Sequence, residues 1–268
     1  GYSLDDIRIY SVTDDIQLLA LNTPALENCG LGAAEPISIK VRNSSAKDLV
    51  KVPVAFRQQN GSITRDTIPA ISKRSTVDFT FSGKANLSAI GQLDVKVWAE
   101  MPTDNFHDND TVSVKVYNSP VLAAFPYLEN FENGDGFWSA KGTNSSWQYG
   151  KPASPNLSKA ASGSKIWKTN LSGSHNDKEE SYLYSPCFNV SSLSVPTLSF
   201  AAAIDLEVCE STPCDYVYVE YSGNNGPWTR LGAAGQGTNW YNKTYSGSGA
   251  WSMQDYMRWH VATIPLPT

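Results

Sequence analysis

The chain has 268 residues, 41% of them hydrophobic and 18% charged, with a formal net charge of −5. Its 21 Lys+Arg against 26 Asp+Glu leave no basic excess for a nucleic-acid backbone, which argues against a nucleic-acid partner. Apolar runs of five residues or fewer fall far short of the roughly 20 that a bilayer-spanning helix needs, so membrane insertion is not expected either.

At this length two ordinary domains fit, each large enough to bury a core. The chain opens at Gly1-Tyr2-Ser3, with neither an initiator Met nor a signal-peptide pattern, and is read as a segment of something longer. From about residue 16 to 118 apolar and polar residues alternate with period two. Ile37, Ile39 and Val41 are followed by Val50, Val52, Val54 and Phe56, then by Val77, Phe79 and Phe81. Leu93, Val95, Val97 and Ala99 come next, and Val112, Val114 and Val116 close the series. Each run offers one apolar face, as a half-buried antiparallel strand requires. Turn-formers such as Asn43-Ser44-Ser45 and Asn60-Gly61-Ser62 separate the runs. About seven strands over residues 14–118 predict an immunoglobulin-like sandwich.

Asn118-Ser119-Pro120 breaks the last of these strands and marks the expected boundary. Seven of the eight tryptophans lie beyond it, in a region rich in Gly, Ser and Asn. Strands are expected at Tyr127–Phe131, Ser181–Tyr184, Thr197–Ala202, Tyr216–Tyr221 and His260–Leu266. Short strands with long loops predict a second all-β domain over residues 119–268, a jelly-roll β-sandwich.

Tyr127-Leu-Glu-Asn-Phe-Glu-Asn-Gly134, Trp138 and Ser146-Trp147-Gln148 resemble the opening of MAM-like jelly rolls, in particular the choice-of-anchor J and cleaved-adhesin branches. Glu180-Ser-Tyr-Leu-Tyr-Ser-Pro186, Pro196-Thr-Leu-Ser-Phe200 and Asp215-Tyr-Val-Tyr-Val-Glu-Tyr-Ser222 continue the resemblance, which covers about residues 125–266. Cys29-Gly30-Leu31-Gly32, the run from Glu35 to Asn43, and Asn109-Asp110-Thr111 make the first domain resemble the CARDB-type modules of Bacteroidetes surface proteins. Jelly rolls of this kind end on a strand with an acidic pair, and Gly1-Tyr-Ser-Leu-Asp-Asp-Ile-Arg-Ile-Tyr10 has that form. The resemblance therefore implies that residues 1–13 are the last strand of a jelly roll, either from a preceding repeat or docked in cis or by strand addition to a neighbouring copy. The plainer alternative is an N-terminal edge strand of the sandwich.

The same resemblance implies a calcium site, with Glu129 or Glu132 meeting Asp5 and Asp6. Asp177, Glu179 and Asp215 rank behind them, and solvated strand-end carboxylates are the plain alternative. Asp104-Asn-Phe-His-Asp-Asn-Asp110 has a calcium-loop look but lacks the Gly and distal Glu of an EF-hand, so it is read as turns. Trp240, Tyr241 and Trp251, in a Gly/Ser-rich stretch, are the candidates for stacking on sugar rings, whereas Trp138, Trp147, Trp228 and Trp259 are expected in the core.

Cys209 and Cys214 are close enough for a local disulfide; zinc is the competing reading, but His107, His175 and His260 show no ligand spacing. There is no His-Glu-x-x-His, no Gly-x-Ser-x-Gly and no phosphate loop. Adjacent carboxylates at Asp5-Asp6, Asp14-Asp15 and Glu179-Glu180 are expected to point to opposite faces, so no enzyme is expected. The reading is a non-enzymatic extracellular or cell-surface repeat module, acting as adhesin, stalk or fibre-forming unit, with neighbouring copies or surface glycans as partners. The alternative is an accessory carbohydrate-binding module of a secreted hydrolase or peptidase.

Overall fold

A computed structural model describes residues 5–6, 13–207, 209, 214–224, 226–252 and 255–267, without the side chains of 255–257. The described chain is all-β apart from one turn of 3-10 helix at His107–Asn109. It divides into two units, Gly1–Val121 and Leu122–Thr268.

The first unit is a two-sheet sandwich. Strands β1 (Ile16–Thr23), β3 (Glu35–Asn43) and β6 (Thr76–Ala85) form one sheet in the order β1-β3-β6. The other holds β2 (Glu27–Cys29), β4 (Leu49–Gln58), β5 (Thr64–Ile71), β7 (Gly91–Ala99) and β8 (Thr111–Ser119), in the order β2-β8-β7-β4-β5. All pairings are antiparallel except β2 with β8. The alternation explains the core: Ile37, Ile39 and Val41 are fully buried, while Ser38, Lys40 and Arg42 between them are less so or exposed. They meet Val52, Val54, Phe56, Val95 and Val97 from the opposite sheet, and Phe56 and Phe81 pack edge to face at 4.9 Å.

One expected core residue is displaced. Lys51 takes φ +52°, so the alternation slips by one residue at the start of β4. Leu49 turns inward and Val50 is 67% exposed.

In the second unit Thr197–Asp205 pairs with Asp255–Pro265, and the next longest ladder joins Ser139–Thr143 to Glu180–Tyr184. Shorter pairs link Trp147–Gly150 to Ile166–Thr169 and Lys243–Tyr245 to Ser248–Ser252. Tyr127–Phe131 is not a strand, contrary to expectation. The Glu129 side chain accepts from the Phe131 amide at 2.6 Å, and Phe131 takes φ +63°, which is turn geometry. The expected strand Tyr216–Tyr221 is interrupted, leaving Tyr216–Val217 and Glu220–Tyr221 with different partners.

Candidate functional site

The aromatic residues expected to bind sugar form the core of the second unit instead. Trp240, Tyr241 and Trp251 are 1%, 5% and 3% exposed. Their rings pack edge to face or tilted, 5.2 Å apart for Trp240 and Trp251 and 4.6 Å for Tyr241 and Trp251. Each polar atom is satisfied inside: Trp240 Nε1 donates to Leu231 O, Trp251 Nε1 to Asn239 O, and the Tyr241 hydroxyl to Val219 O. Burial pushes the Tyr241 hydroxyl pKa up. A sugar cannot reach these rings. The Gly/Ser-rich surroundings concealed this, because small neighbours let large rings close upon each other. Trp228, expected in the core, is 56% exposed and stands edge to face with Tyr184 at 5.5 Å.

Among the carboxylates nominated for calcium, Glu132, Glu129 and Asp215 each have partners within the second unit. Glu132 accepts from the Ser164 and Lys165 amides at 2.8 Å each and from the Ser164 hydroxyl at 2.9 Å. These donors, the Ser164 amide first, hold its carboxyl below the usual range. Glu129 serves its own turn, and Asp215 lies 3.5 Å from His175 Nε2. Asp5 and Asp6 are exposed, and residues 1–4 and 7–12, on which the N-terminal strand reading depends, lie outside the described residues. Cys209 and Cys214 are joined with Cα atoms 6.1 Å apart, and no cysteine is free.

The cluster that the fold does assemble sits at one end of the first sandwich, in the loop read as turns. Asp104 orders that loop: its Oδ2 accepts from the Ile16 amide at 2.6 Å and its Oδ1 from the Phe106 amide at 2.8 Å. The chain then makes its 3-10 turn, and His107 Nδ1 comes 2.8 Å from Asp110 Oδ2. Asp14 and Asp15 arrive from the segment before β1. Lys47 Nζ lies 2.8 Å from Asp14 Oδ1, and Asn109 Nδ2 donates to Asp15 Oδ1 at 3.0 Å. Both acids are buried, 6% and 7% exposed, because they precede the strand and do not alternate across it.

The electrostatics differ around the cluster. Lys47, then Thr103, hold the Asp14 carboxyl below the usual range. Burial pushes Asp110 up, and Asp104 beside it adds to the rise although His107 opposes it. His107 is raised in turn, chiefly by its bond to Asp110. The local sequence showed the 104–110 loop as a calcium-loop lookalike, but not its burial against Asp15 and Ile16, which come from a segment about 90 residues away.

The outer face of β4, β7 and β8 carries an open depression of about 440 Å³, lined by Arg57, Asp94, Lys96 and Lys115 among others. No helix among the described residues is long and apolar enough to cross a membrane.

No family model matches the chain. It is 32% identical over 133 residues to bacillopeptidase F of Bacillus subtilis strain 168, a match covering 48% of this chain and 9% of that protein. The chain thus spans a small fraction of the length of the curated relative it matches. The CARDB domain of the PF1109 protein from Pyrococcus furiosus, solved with di-metal ions, aligns with a TM-score of 0.31 at 10% identity, over 44% of this chain and 99% of that domain.

Proposed function

We propose that this chain is a non-catalytic extracellular module, two β units in series within a larger surface or secreted protein, acting as a stalk, adhesive or fibre-forming repeat. The observation that carries the reading is the cysteine state. All four cysteines are in disulfides, and such bonds persist in oxidising, extracytoplasmic surroundings. The bacillopeptidase match supports it, because likeness to 9% of a peptidase fits an attached module better than a whole enzyme. On this reading the second unit is a MAM-like jelly roll, and neighbouring copies associate through residues 1–13.

Thiol titration of the chain secreted from its host, unfolded in denaturant, tests the compartment: no reactive thiol is expected, and two or more would overturn it. Deleting residues 1–13 tests the assembly: a lower melting temperature or a smaller mass in solution is expected, and no change in either counts against strand complementation.

A second reading, an accessory carbohydrate-binding module, is favoured by one observation. Trp228 offers an exposed ring beside Tyr184, over which Lys141 Nζ sits at 5.1 Å. Soluble polysaccharide should quench its fluorescence, and Trp228→Ala should abolish the effect.

A further inference from the structure

Four carboxylates are buried at one end of the first sandwich: Asp14, Asp15, Asp104 and Asp110 are 6%, 7%, 2% and 6% exposed. A buried carboxylate without a counter-charge or donors is strongly disfavoured. Three of the four are provided for. Asp14 has Lys47, Asp15 has the Asn109 amide, and Asp104 has the Ile16 and Phe106 amides.

Asp110 is not. Its Oδ2 meets His107, but its Oδ1 is closed off from solvent and has no partner. The carbonyl oxygen of the Asn109 side chain is buried and unpartnered as well. Beside it stands a second buried carboxylate, Asp104. One ligand atom each of Asp104, His107 and Asp110 lie within 4.8 Å of one another. Oxygen ligands about 2.3–2.6 Å from a common calcium ion are at most about 5 Å apart, so this spacing suits one shared ion.

We propose that this end of the first unit is a divalent-cation site for calcium, with Asp104 and Asp110 as its carboxylate ligands. Asp110 Oδ1 is the oxygen that the protein leaves for the ion. His107 is a positioning residue: by binding Oδ2 it turns Oδ1 inward, as hydrogen-bonded imidazoles and carboxylates orient one another at metal centres. Asn109 adds a neutral oxygen at the same loop. The ion relieves the repulsion between Asp104 and Asp110 and fastens the 104–110 loop, which already caps β1 through Ile16, to the start of β8. With few protein oxygens and the remaining positions left to water, affinity falls in the weak range of extracellular modules, a Kd of about 10⁻⁴–10⁻³ M. The site stands independently of the stalk or adhesin reading, since it rests on the first sandwich alone.

The test is calorimetric titration of the full chain with calcium after chelator treatment, alongside thermal unfolding in 10 mM calcium or chelator. Wild type should give saturable heat, and calcium should raise its melting temperature by about 5 °C. Asp110→Asn keeps the shape of the side chain and removes the charge. It should abolish both effects while retaining the wild-type circular dichroism. His107→Gln, at an exposed position, should fold normally and weaken calcium binding about 10- to 100-fold. Three results would overturn the proposal: no heat or shift with calcium in wild type, calcium binding unchanged in Asp110→Asn, or binding of zinc alone that His107→Gln abolishes.

Discussion

Asn118 and Leu31 exchange two hydrogen bonds. The Leu31 amide donates to Asn118 Oδ1 at 2.8 Å, and Asn118 Nδ2 returns one to the Leu31 carbonyl at 3.3 Å. The same Nδ2 reaches the carbonyls of Leu87 at 2.9 Å and Ala89 at 3.2 Å. A fully buried side chain at the end of β8 thus satisfies backbone groups of two loops that have no ladder partner there. Asn118→Ala leaves those groups dry and should destabilise the first unit by about 2–3 kcal/mol. Asn118→Asp should cost at least as much at neutral pH, because a buried carboxylate would face three carbonyl oxygens. Urea unfolding followed by far-UV circular dichroism measures both, and a loss under about 0.5 kcal/mol for Asn118→Ala would contradict the argument.

Gly142 lies in the ladder between Ser139–Thr143 and Glu180–Tyr184, opposite Ser181, with φ +115°. A Cβ there would overlap the Glu180 carbonyl oxygen and come 2.7 Å from Ser181 Cα. Both the backbone angle and the close approach demand glycine. Gly142→Ala should lower the stability of the second unit by about 3 kcal/mol, the dihedral strain alone accounting for about 1–3 kcal/mol. Gly134→Ala is the control, since its Cβ would meet nothing within 4 Å. Tryptophan fluorescence reports this unit selectively, because seven of the eight tryptophans lie in it.

How far the sequence could be read followed the depth of burial. Strands of the first sandwich bury one face almost completely, so their period of two was plain, and Ile37, Ile39 and Val41 could be named as core from the chain alone. Where the backbone departs from a regular strand the pattern misleads, as at Lys51, whose positive φ exchanges Val50 for Leu49. In the second unit Ser139–Thr143 and Trp147–Gly150 have no buried residue, so there was no alternation to find. The 104–110 loop was singled out but read as turns, for another reason. A polar loop reads as solvated until the fold brings Asp15 and Ile16 against it, and that information is nonlocal.

The aromatic residues separate core from surface. Trp240 fills the centre of the second unit, packed against Phe200, Tyr241 and Trp251, so Trp240→Ala should cost about 3–5 kcal/mol. Trp228→Ala removes a ring that is more than half exposed and should change stability by about 1 kcal/mol or less. Thermal melts of the two variants, compared with wild type, check the contrast. Equal losses would mean that Trp228 is a structural residue and would remove the support it lends to a sugar-binding surface.

Glu179 gives the second unit a defined acid response. Its carboxylate accepts from the Ser146 amide at 2.8 Å, the Asn176 amide at 3.0 Å, and the hydroxyls of Ser146 and Ser181. Burial pushes the carboxyl up, but the Ser146, Ser181 and Asn176 donors together outweigh it and hold the group below the ordinary glutamate value. A carboxyl whose folded pKa is depressed stabilises the fold fully above its unfolded pKa of about 4.3, and that contribution fades as pH falls through the folded value. Protonation replaces an acceptor of four bonds with a group that must itself donate, and the loops at Ser146 and Asn176 lose their common anchor. Glu179→Gln keeps the size and removes the charge, so it should be less stable than wild type by about 1–3 kcal/mol at pH 7. The difference should begin to shrink near pH 4 and continue to do so at lower pH. Urea unfolding at a series of pH values from 7 to 2.5, followed by tryptophan fluorescence, measures it. A gap between the two proteins that stays constant across that range would show that the charge on Glu179 contributes nothing to the fold.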